Sequence, residues 1–389
     1  MDLDIINKLV FDVAESVRRN EGETDEGVEF VVWYSGKNRI PPDFLLKIAE
    51  ICDSKGMFRE EYVFMKACAL LAEGEQRIEA FFLSGVLAYF MGRKETAIQE
   101  FDEALKLDPE HVNSLCNQGG VVLSELGRKS QAENRYLRAL ELDPGHVSTH
   151  CNYGNLFFEL GKLHEAEHEF RAVLELDPEN ANTRCNYASL LVELGRRKEA
   201  EEQFIYVLEQ VPEHASANYN YANFLKEEGK VEEAATHYKE ALKISPGHIS
   251  ALCNYGNLLS ESGRTEEAAV QYRLILSLKP EDTDARANYG QLLFELGRYQ
   301  EAEVQYKKTL AIDPCHVPTL CNYGNLLKRL GMFRQAESMY REALKLDPPE
   351  DIKTRYSYSL FLFKLERFEE AKEQYIKAVS PPGSSPVPY

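Results

Sequence analysis

Three side chains within one helical turn carry the sharpest chemical signature in the chain. His164, Glu165 and His168, in the run His-Glu-Ala-Glu-His, spell HExxH, the pattern in which two histidines four residues apart bind zinc and the glutamate acts as general base. A protease site built on it also needs a third ligand and a cleft. Glu165, however, recurs as Glu199, Glu233, Glu267 and Glu301, whereas the histidine positions hold Ser130 and Asn134 in one stretch and Lys198 and Glu202 in another. A glutamate that returns at a fixed interval while its flanks change belongs to a scaffold, and the histidine pair is at most an adventitious zinc binder. No Gly-rich phosphate loop, nucleophile elbow or Ser, His and Asp set escapes the repeating pattern. The expectation is a non-enzyme with no catalytic residues, no metal site and no cofactor.

Amides recur more densely. Asn117, Asn152, Asn186, Asn220, Asn254, Asn288 and Asn322 form one column, and three residues further on Asn155, Asn223, Asn257 and Asn325 form a second, with Ser189 and Gln291 at the same place. Positions three apart share a helix face. An asparagine offers both a carbonyl acceptor and an amide donor, so a ladder of them can pair with the backbone of an extended guest whatever its side chains. Each bond contributes only about 0.5–1.5 kcal/mol net, so several are needed. The same amides could instead bridge neighbouring helices. Four residues beyond the second column stand Glu159, Glu193, Glu227, Glu261 and Glu295, with Glu125 before them and Arg329 ending the series. Stacked carboxylates repel one another, and a lysine- or arginine-bearing guest would relieve that; the plain alternative is a solvated helix edge.

The elements that must position these columns follow from the prolines. Pro109, Pro144, Pro178, Pro212, Pro246, Pro280, Pro314 and Pro348 fall 34 residues apart with one gap of 35, so one supersecondary unit repeats, and neighbours must stack to bury its apolar face. From Val147 to Asn180 the pattern predicts two helices. The first ends at Gly161, suited to a left-handed helix end, and the second runs from about Leu163 to Leu176 before Asp177 and Pro178 stop it. Each second helix carries a small residue, at Ala97, Ala132, Ala166, Ala200, Ala234, Ala268, Ala302, Ala336 and Ala371. An aromatic follows four residues later, at Phe101, Tyr136, Phe170, Phe204, Tyr238, Tyr272, Tyr306, Tyr340 and Tyr375. The small residues let helices approach and the aromatics fill the gaps, so both columns are expected in the core. Five cysteines, Cys116, Cys151, Cys185, Cys253 and Cys321, form a column on successive first helices. Packed helices lie about 8–10 Å apart, whereas a disulfide needs Cα atoms about 4.4–6.8 Å apart, so free thiols in a reducing compartment are expected.

A 34-residue helix-turn-helix with glycine or alanine, alanine, aromatic and proline landmarks closely resembles the tetratricopeptide repeat family. The resemblance implies an all-α fold, a right-handed superhelical α-solenoid of stacked antiparallel helix pairs. Nine units are expected over 78–380, starting near 78, 112, 147, 181, 215, 249, 283, 317 and 352. A degenerate helix pair is expected over 42–77, and 1–41 reads as a capping helix and polar linker. Residues 381–389 read as a Pro-rich disordered tail. The unit from Val112 departs from the pattern with Gly119 and Gly120 where its neighbours have one small residue, and the last unit has Pro349 inserted and Glu366 in place of glycine. The resemblance further implies that first helices line a concave groove, which would place the asparagine columns there as a peptide-binding face with the glutamates near it. The repeats are also similar to the superhelical repeat region of O-linked N-acetylglucosamine transferase and to cargo-binding repeats of kinesin light chains, but no stretch is left over for a catalytic domain. Chaperone-binding repeats clamp a terminal carboxylate with lysine and arginine; here those columns hold cysteine, tyrosine, alanine and neutral amides.

The balance of 45 Lys and Arg against 64 Asp and Glu gives a formal charge of −19, which argues against nucleic acid or an anionic membrane as partner. Neutral or basic extended protein segments fit better. No signal-like start or membrane-length apolar run is present, so a cytoplasmic protein is expected. Leu3, Ile6, Val10, Val13 and Val17 space an amphipathic helix ahead of the polar stretch Asn20 to Gly27, and Trp33 in the apolar segment Phe30 to Tyr34 is expected to make a core contact. The leading functional reading is an adaptor gripping an extended peptide. The alternatives are a self-assembling scaffold and a recruiting subunit of a separate enzyme such as a glycosyltransferase.

Overall fold

The computed structural model describes residues 9–11, 13–15, 24–38, 40–122, 126–346 and 352–379. Every regular element among them is helical. After α1 (Asp25–Asn38) come α2 (Pro42–Ser54) and α3 (Phe58–Leu71), α4 (Gly74–Phe90) and α5 (Lys94–Leu107), then α6 (Val112–Asn117), a wide π-turn at Gln118–Val122, and α7 (Lys129–Leu142). The series continues with α8 (Val147–Glu159) and α9 (Leu163–Leu176), α10 (Ala181–Glu193) and α11 (Arg197–Gln210), α12 (Ala215–Glu227) and α13 (Val231–Ile244), and α14 (Ile249–Glu261) and α15 (Thr265–Leu278). The last pairs are α16 (Thr283–Glu295) and α17 (Tyr299–Ile312), α18 (Val317–Arg329) and α19 (Phe333–Leu346), and α20 (Ile352–Lys364) and α21 (Phe368–Val379). Packing groups the chain into two compact units, Met1–Gln203 and Phe204–Tyr389. Each is a run of antiparallel helix pairs packed on their neighbours, the solenoid arrangement that the repeat demands.

The turn inside each pair is a left-handed residue: Gly161 has φ 70°, a conformation a Cβ resists, and its amide closes on the Phe158 carbonyl at 3.0 Å. Glu366 adopts φ 59° at the same place in the last pair, so the hairpin survives loss of its glycine at the expense of local strain.

Burial follows the two columns of the second helices. Ala97, Ala132, Ala166, Ala200, Ala234, Ala268, Ala302 and Ala336 are sealed from solvent, as are Phe101, Tyr136, Phe170, Phe204, Tyr238, Tyr272, Tyr306 and Tyr340. The small residue of the first helix receives the ring. A Cβ added to Gly290 would lie 2.7 Å from the Tyr306 ring, so only glycine allows this approach. The tyrosine of the following first helix then covers the ring: Tyr255 lies 5.9 Å from Tyr238, Tyr323 lies 6.0 Å from Tyr306, and Tyr358 lies 5.6 Å from Tyr340.

Two residues expected in the core lie outside it. Tyr375 is 48% exposed, because no described helix follows α21 to cover its ring. Trp33 is 58% exposed. Residues 30–34 belong to α1, whose buried positions are Gly27, Val28, Val31 and Ser35, so helical periodicity turns residue 33 away and leaves its ring beneath Lys37 Nζ at 4.9 Å. Of the expected N-terminal helix, Val13 is buried and Val10 half-buried, whereas Leu3, Ile6 and Val17 lie outside the described residues. The polar stretch also gives way to helix at Asp25. The Pro-rich tail, Pro348, Pro349 and Glu125 lie outside the described residues as well.

Burial pushes the hydroxyls of Tyr136, Tyr238, Tyr272, Tyr306 and Tyr340 far above the ordinary tyrosine range. A group whose folded pKa is raised contributes its stability in full below the unfolded value, about 10 for tyrosine, and loses it as pH rises. Urea unfolding midpoints are therefore expected to hold steady from neutral pH to about pH 8, to begin to fall near the unfolded thiol value of about 8.5 because buried cysteines are raised as well, and to fall steeply above about pH 10. A midpoint that did not change in that alkaline range would contradict the buried-tyrosine column.

Candidate functional site

The first helices that carry the asparagines are anchored at their N-termini by side chains that stand just before them. His214, His248 and His316 accept from the backbone N–H three residues on through Nδ1, at 3.1, 3.2 and 3.3 Å, and Asn180 and Asp282 do the same at 3.0 and 2.8 Å. An N-cap of this kind satisfies one of the helix's unpaired donors. The histidines also tie neighbours together: His146 Nε2 reaches Asn113 Oδ1 and His316 Nε2 reaches Asp284 Oδ1, both at 3.1 Å. The signal was available, since a histidine or its Asn or Asp substitute stands just before nearly every first helix.

The two asparagine columns meet in a repeating amide-hydroxyl link. Within one hairpin the buried tyrosine of the second helix donates its hydroxyl to the second-column side chain: Tyr238 to Asn223 Oδ1 at 2.5 Å, Tyr340 to Asn325 Oδ1 at 2.8 Å, Tyr306 to Gln291 Oε1 at 3.4 Å, and Tyr272 to Asn257 Oδ1. The first-column amide of the next hairpin joins the same centre. Asn254 Nδ2 donates to Asn223 Oδ1 at 2.9 Å and to Tyr219 Oη at 3.1 Å, and Asn288 hydrogen-bonds the Tyr272 hydroxyl. In the first unit Asn186 Nδ2 donates to Asn155 Oδ1 at 2.9 Å, where the ring of that hairpin is Phe170 and brings no hydroxyl. The hairpin with Phe204 carries Ser189 instead of asparagine, and Ser189 bonds its own helix at Cys185 O. From Asn223 to Asn325 every second-column amide faces a tyrosine fifteen residues on, whereas Asn155 faces Phe170 and serves only the amide of the next hairpin.

Bridging therefore accounts for part of the ladder, and the remainder differs residue by residue. Asn117 Nδ2 turns back to Asn113 O at 2.9 Å, and Asn152 Nδ2 reaches Cys116 Sγ at 3.5 Å. Asn220 and Asn322 are half-buried and engage no partner among the described residues. Among the described residues Asn186 and Asn254 act only as donors, which leaves their carbonyl oxygens open.

Glu159, Glu193, Glu227, Glu261 and Glu295 are all exposed and are each the last residue of a first helix. This places them in one row at the helix C-termini, where the macrodipole disfavours negative charge. Glu261 lies 3.1 Å from Lys226 and Glu159 lies 3.9 Å from Lys129. Glu295 accepts from Gln291 at 2.9 Å. The recurring glutamate of the HExxH run has a different task. Glu199, Glu267 and Glu301 each hold an arginine at the N-cap of their own helix, Arg196, Arg264 and Arg298, by paired bonds of 2.6 to 2.8 Å. These contacts hold the three carboxyl groups below the usual carboxylate range. In α9 a lysine, Lys162, stands at the arginine position, and His164, Glu165 and His168 are exposed. No group of three or more His, Cys, Asp or Glu side chains able to hold a metal occurs among the described residues. All eight cysteines are free thiols, and burial pushes Cys185 up to about 12.

Stacked helix pairs with a recurring polar face on the first helices define a repeat scaffold of the protein-interaction kind. Models described as tetratricopeptide repeat match residues 78–111, 117–181, 186–249, 225–276, 282–348 and 323–385, and the chain belongs to the tetratricopeptide repeat family. No curated protein matches the sequence. Among solved structures, the human IFIT1 dimer with m7Gppp-AAAA is similar at 17% identity and a TM-score of 0.52, covering 90% of this chain and 93% of that one. PilF of Pseudomonas aeruginosa (20% identity, TM-score 0.43, 52% of this chain and 93% of that one) is similar over a shorter span. So is YrrB, described as a TPR protein with an unusual peptide-binding site (21%, 0.43, 51% and 97%). At these identities the likeness is one of fold. No described helix is long and apolar enough to cross a membrane.

The amide-hydroxyl link makes an asymmetric prediction. Asn223→Ala strands the Tyr238 hydroxyl in the core and is expected to cost about 1–3 kcal/mol, whereas Tyr238→Phe leaves Asn223 Oδ1 bonded to Asn254 and costs about 0.5–1.5 kcal/mol. Urea denaturation of the two variants checks the order; equal costs would contradict the geometry.

Proposed function

We propose that the chain is a non-catalytic adaptor that holds an extended peptide segment against the first helices, with first-column asparagines pairing to the guest backbone. The observation that carries this reading is the pair Asn220 and Asn322, half-buried amides that engage no partner among the described residues, on the helices whose other asparagines stitch the fold. A half-buried amide loses part of its hydration, so a guest N–H or C=O is favourable there. The carbonyl oxygens of Asn186 and Asn254 support the reading as further acceptors, each in its own unit. Asn152, Asn288 and the second column serve mainly to hold that face in place.

The exposed glutamate row favours lysine or arginine in the guest, with Glu193, which makes no ion pair among the described residues, as the strongest candidate to select it. Such contacts lie near the surface and are screened by salt. The IFIT1 structure holds a capped RNA, but a chain at −19 opposes a phosphate backbone, whose binding needs a basic footprint.

Selection of peptides from a displayed random library on the intact protein tests the reading. Enriched sequences are expected to be extended and to carry lysine or arginine. Asn220→Ala combined with Asn322→Ala should weaken the best of them about tenfold, since two lost bonds of about 0.5–1.5 kcal/mol each amount to that factor. Helix content should not change. Unchanged affinity in the double variant would remove the first-helix face from the account.

A further inference from the structure

The irregular repeat that starts at Val112 holds a pocket beside its π-turn. Between Cys116 and Ala132 the chain has one more residue than between Cys151 and Ala166. The helix absorbs it as the π-turn Gln118–Val122, the usual way an inserted residue is accommodated and a frequent mark of function. The inserted glycine shifts the register, so Gly120 faces the Tyr136 ring while Gly119 lies against Arg135. In other hairpins the position of Gln118 holds a tyrosine that covers the preceding core ring, as Tyr153 covers Tyr136 at 5.3 Å. With glutamine and glycine sharing that slot, a cavity of about 410 Å³ remains between α5 and α7, lined by Ile98, Asp102, Gln118, Arg128, Arg135 and Arg138 among others.

Its chemistry is cationic in an acidic protein, and it contains one stranded acceptor. Gln118 is 1% exposed, and its Nε2 donates to Asp102 Oδ1 at 2.6 Å and to Ile98 O at 3.4 Å. Both partners are acceptors, so the amide cannot turn over, and Oε1 is left buried without a partner. Each guanidinium group has an acid in range: Arg135 lies 4.0 Å from Asp102, Arg128 lies 2.8 Å from Glu95, and Arg138 lies 3.0 Å from Glu141 and 3.5 Å from Glu110, the last three acids being largely exposed. Exposed pairs of this kind are weak and yield to a better anion, and arginine forks match phosphate oxygens two at a time.

We propose that this pocket binds a phosphomonoester that presents a hydrogen-bond donor beside its phosphate, the oxyanion to Arg135 and Arg138 and the donor to Gln118 Oε1. A phosphoserine residue, with its backbone N–H, and a small sugar or polyol phosphate, with its hydroxyl, share this chemistry. The site lies between second helices and is separate from the asparagine face.

Titration calorimetry on the full chain with N-acetyl-O-phosphoserine amide and with glycerol 3-phosphate distinguishes the two sources, with inorganic phosphate as reference. The expected result is saturable binding of one of them near one per chain, at least about tenfold tighter than inorganic phosphate, and weakened about tenfold or more by Arg135→Gln with Arg138→Gln. Gln118→Tyr restores the residue of the other hairpins, fills the pocket and should abolish binding while circular dichroism confirms the fold. Tighter binding of the phosphoserine compound assigns a peptide ligand, and tighter binding of glycerol 3-phosphate assigns a metabolite. No saturable binding below about 10 mM, binding no tighter than inorganic phosphate, or full affinity in Gln118→Tyr would overturn the proposal.

Discussion

Burying a tyrosine on a second helix obliges the fold to supply a partner for its hydroxyl, and that requirement organises much of the second unit. The ring needs a glycine or alanine opposite it, as at Gly290, and the hydroxyl needs an acceptor on the same first helix, as at Asn223 and Asn325. Once that acceptor is in place, the next hairpin can reach it with an asparagine of its own, as Asn254 does. One buried polar atom therefore fixes spacing within a hairpin and register between hairpins. An unsatisfied hydroxyl in such a site costs about 1–3 kcal/mol, whereas each bond nets less, so the link acts more to forbid other packings than to add stability.

The same constraint sets where a ligand could be held. Amides used for stitching are fixed in direction and turn only their remaining valence outward. Asn220 and Asn322, without an internal bond among the described residues, are the positions at which the fold makes no claim on the side chain. The glutamate row differs again: it is exposed at the helix ends, and its charge stands where the helix dipole opposes it, so a cationic neighbour is favoured from outside.

The fold was largely legible because every level of the sequence repeats with one period. Prolines mark the turns, glycines the left-handed residues, and the alanine and aromatic columns the core, each with its own physical reason. What escaped was information carried by pairs rather than columns. A histidine cap is not marked by its own column because it depends on a backbone N–H three positions on, and the bridging use of the second asparagine column is hidden because its partner, the tyrosine hydroxyl, lies fifteen residues away on another helix. Trp33 and Tyr375 were misplaced for simpler reasons: periodicity inside α1 turns the indole outward, and no described helix follows α21 to cover the ring. The extra residue at Gly119 and Gly120 was visible as a break in the period, but its consequence depends on the helix widening rather than ending.

The central claim is that asparagines of consecutive hairpins are coupled through one shared carbonyl oxygen. A double-mutant cycle on Asn223 and Asn254, read by urea unfolding of the intact chain, measures that coupling directly. An interaction energy of about 0.5–1.5 kcal/mol is the expected result, and additive costs, with no interaction between the two sites, would contradict the account.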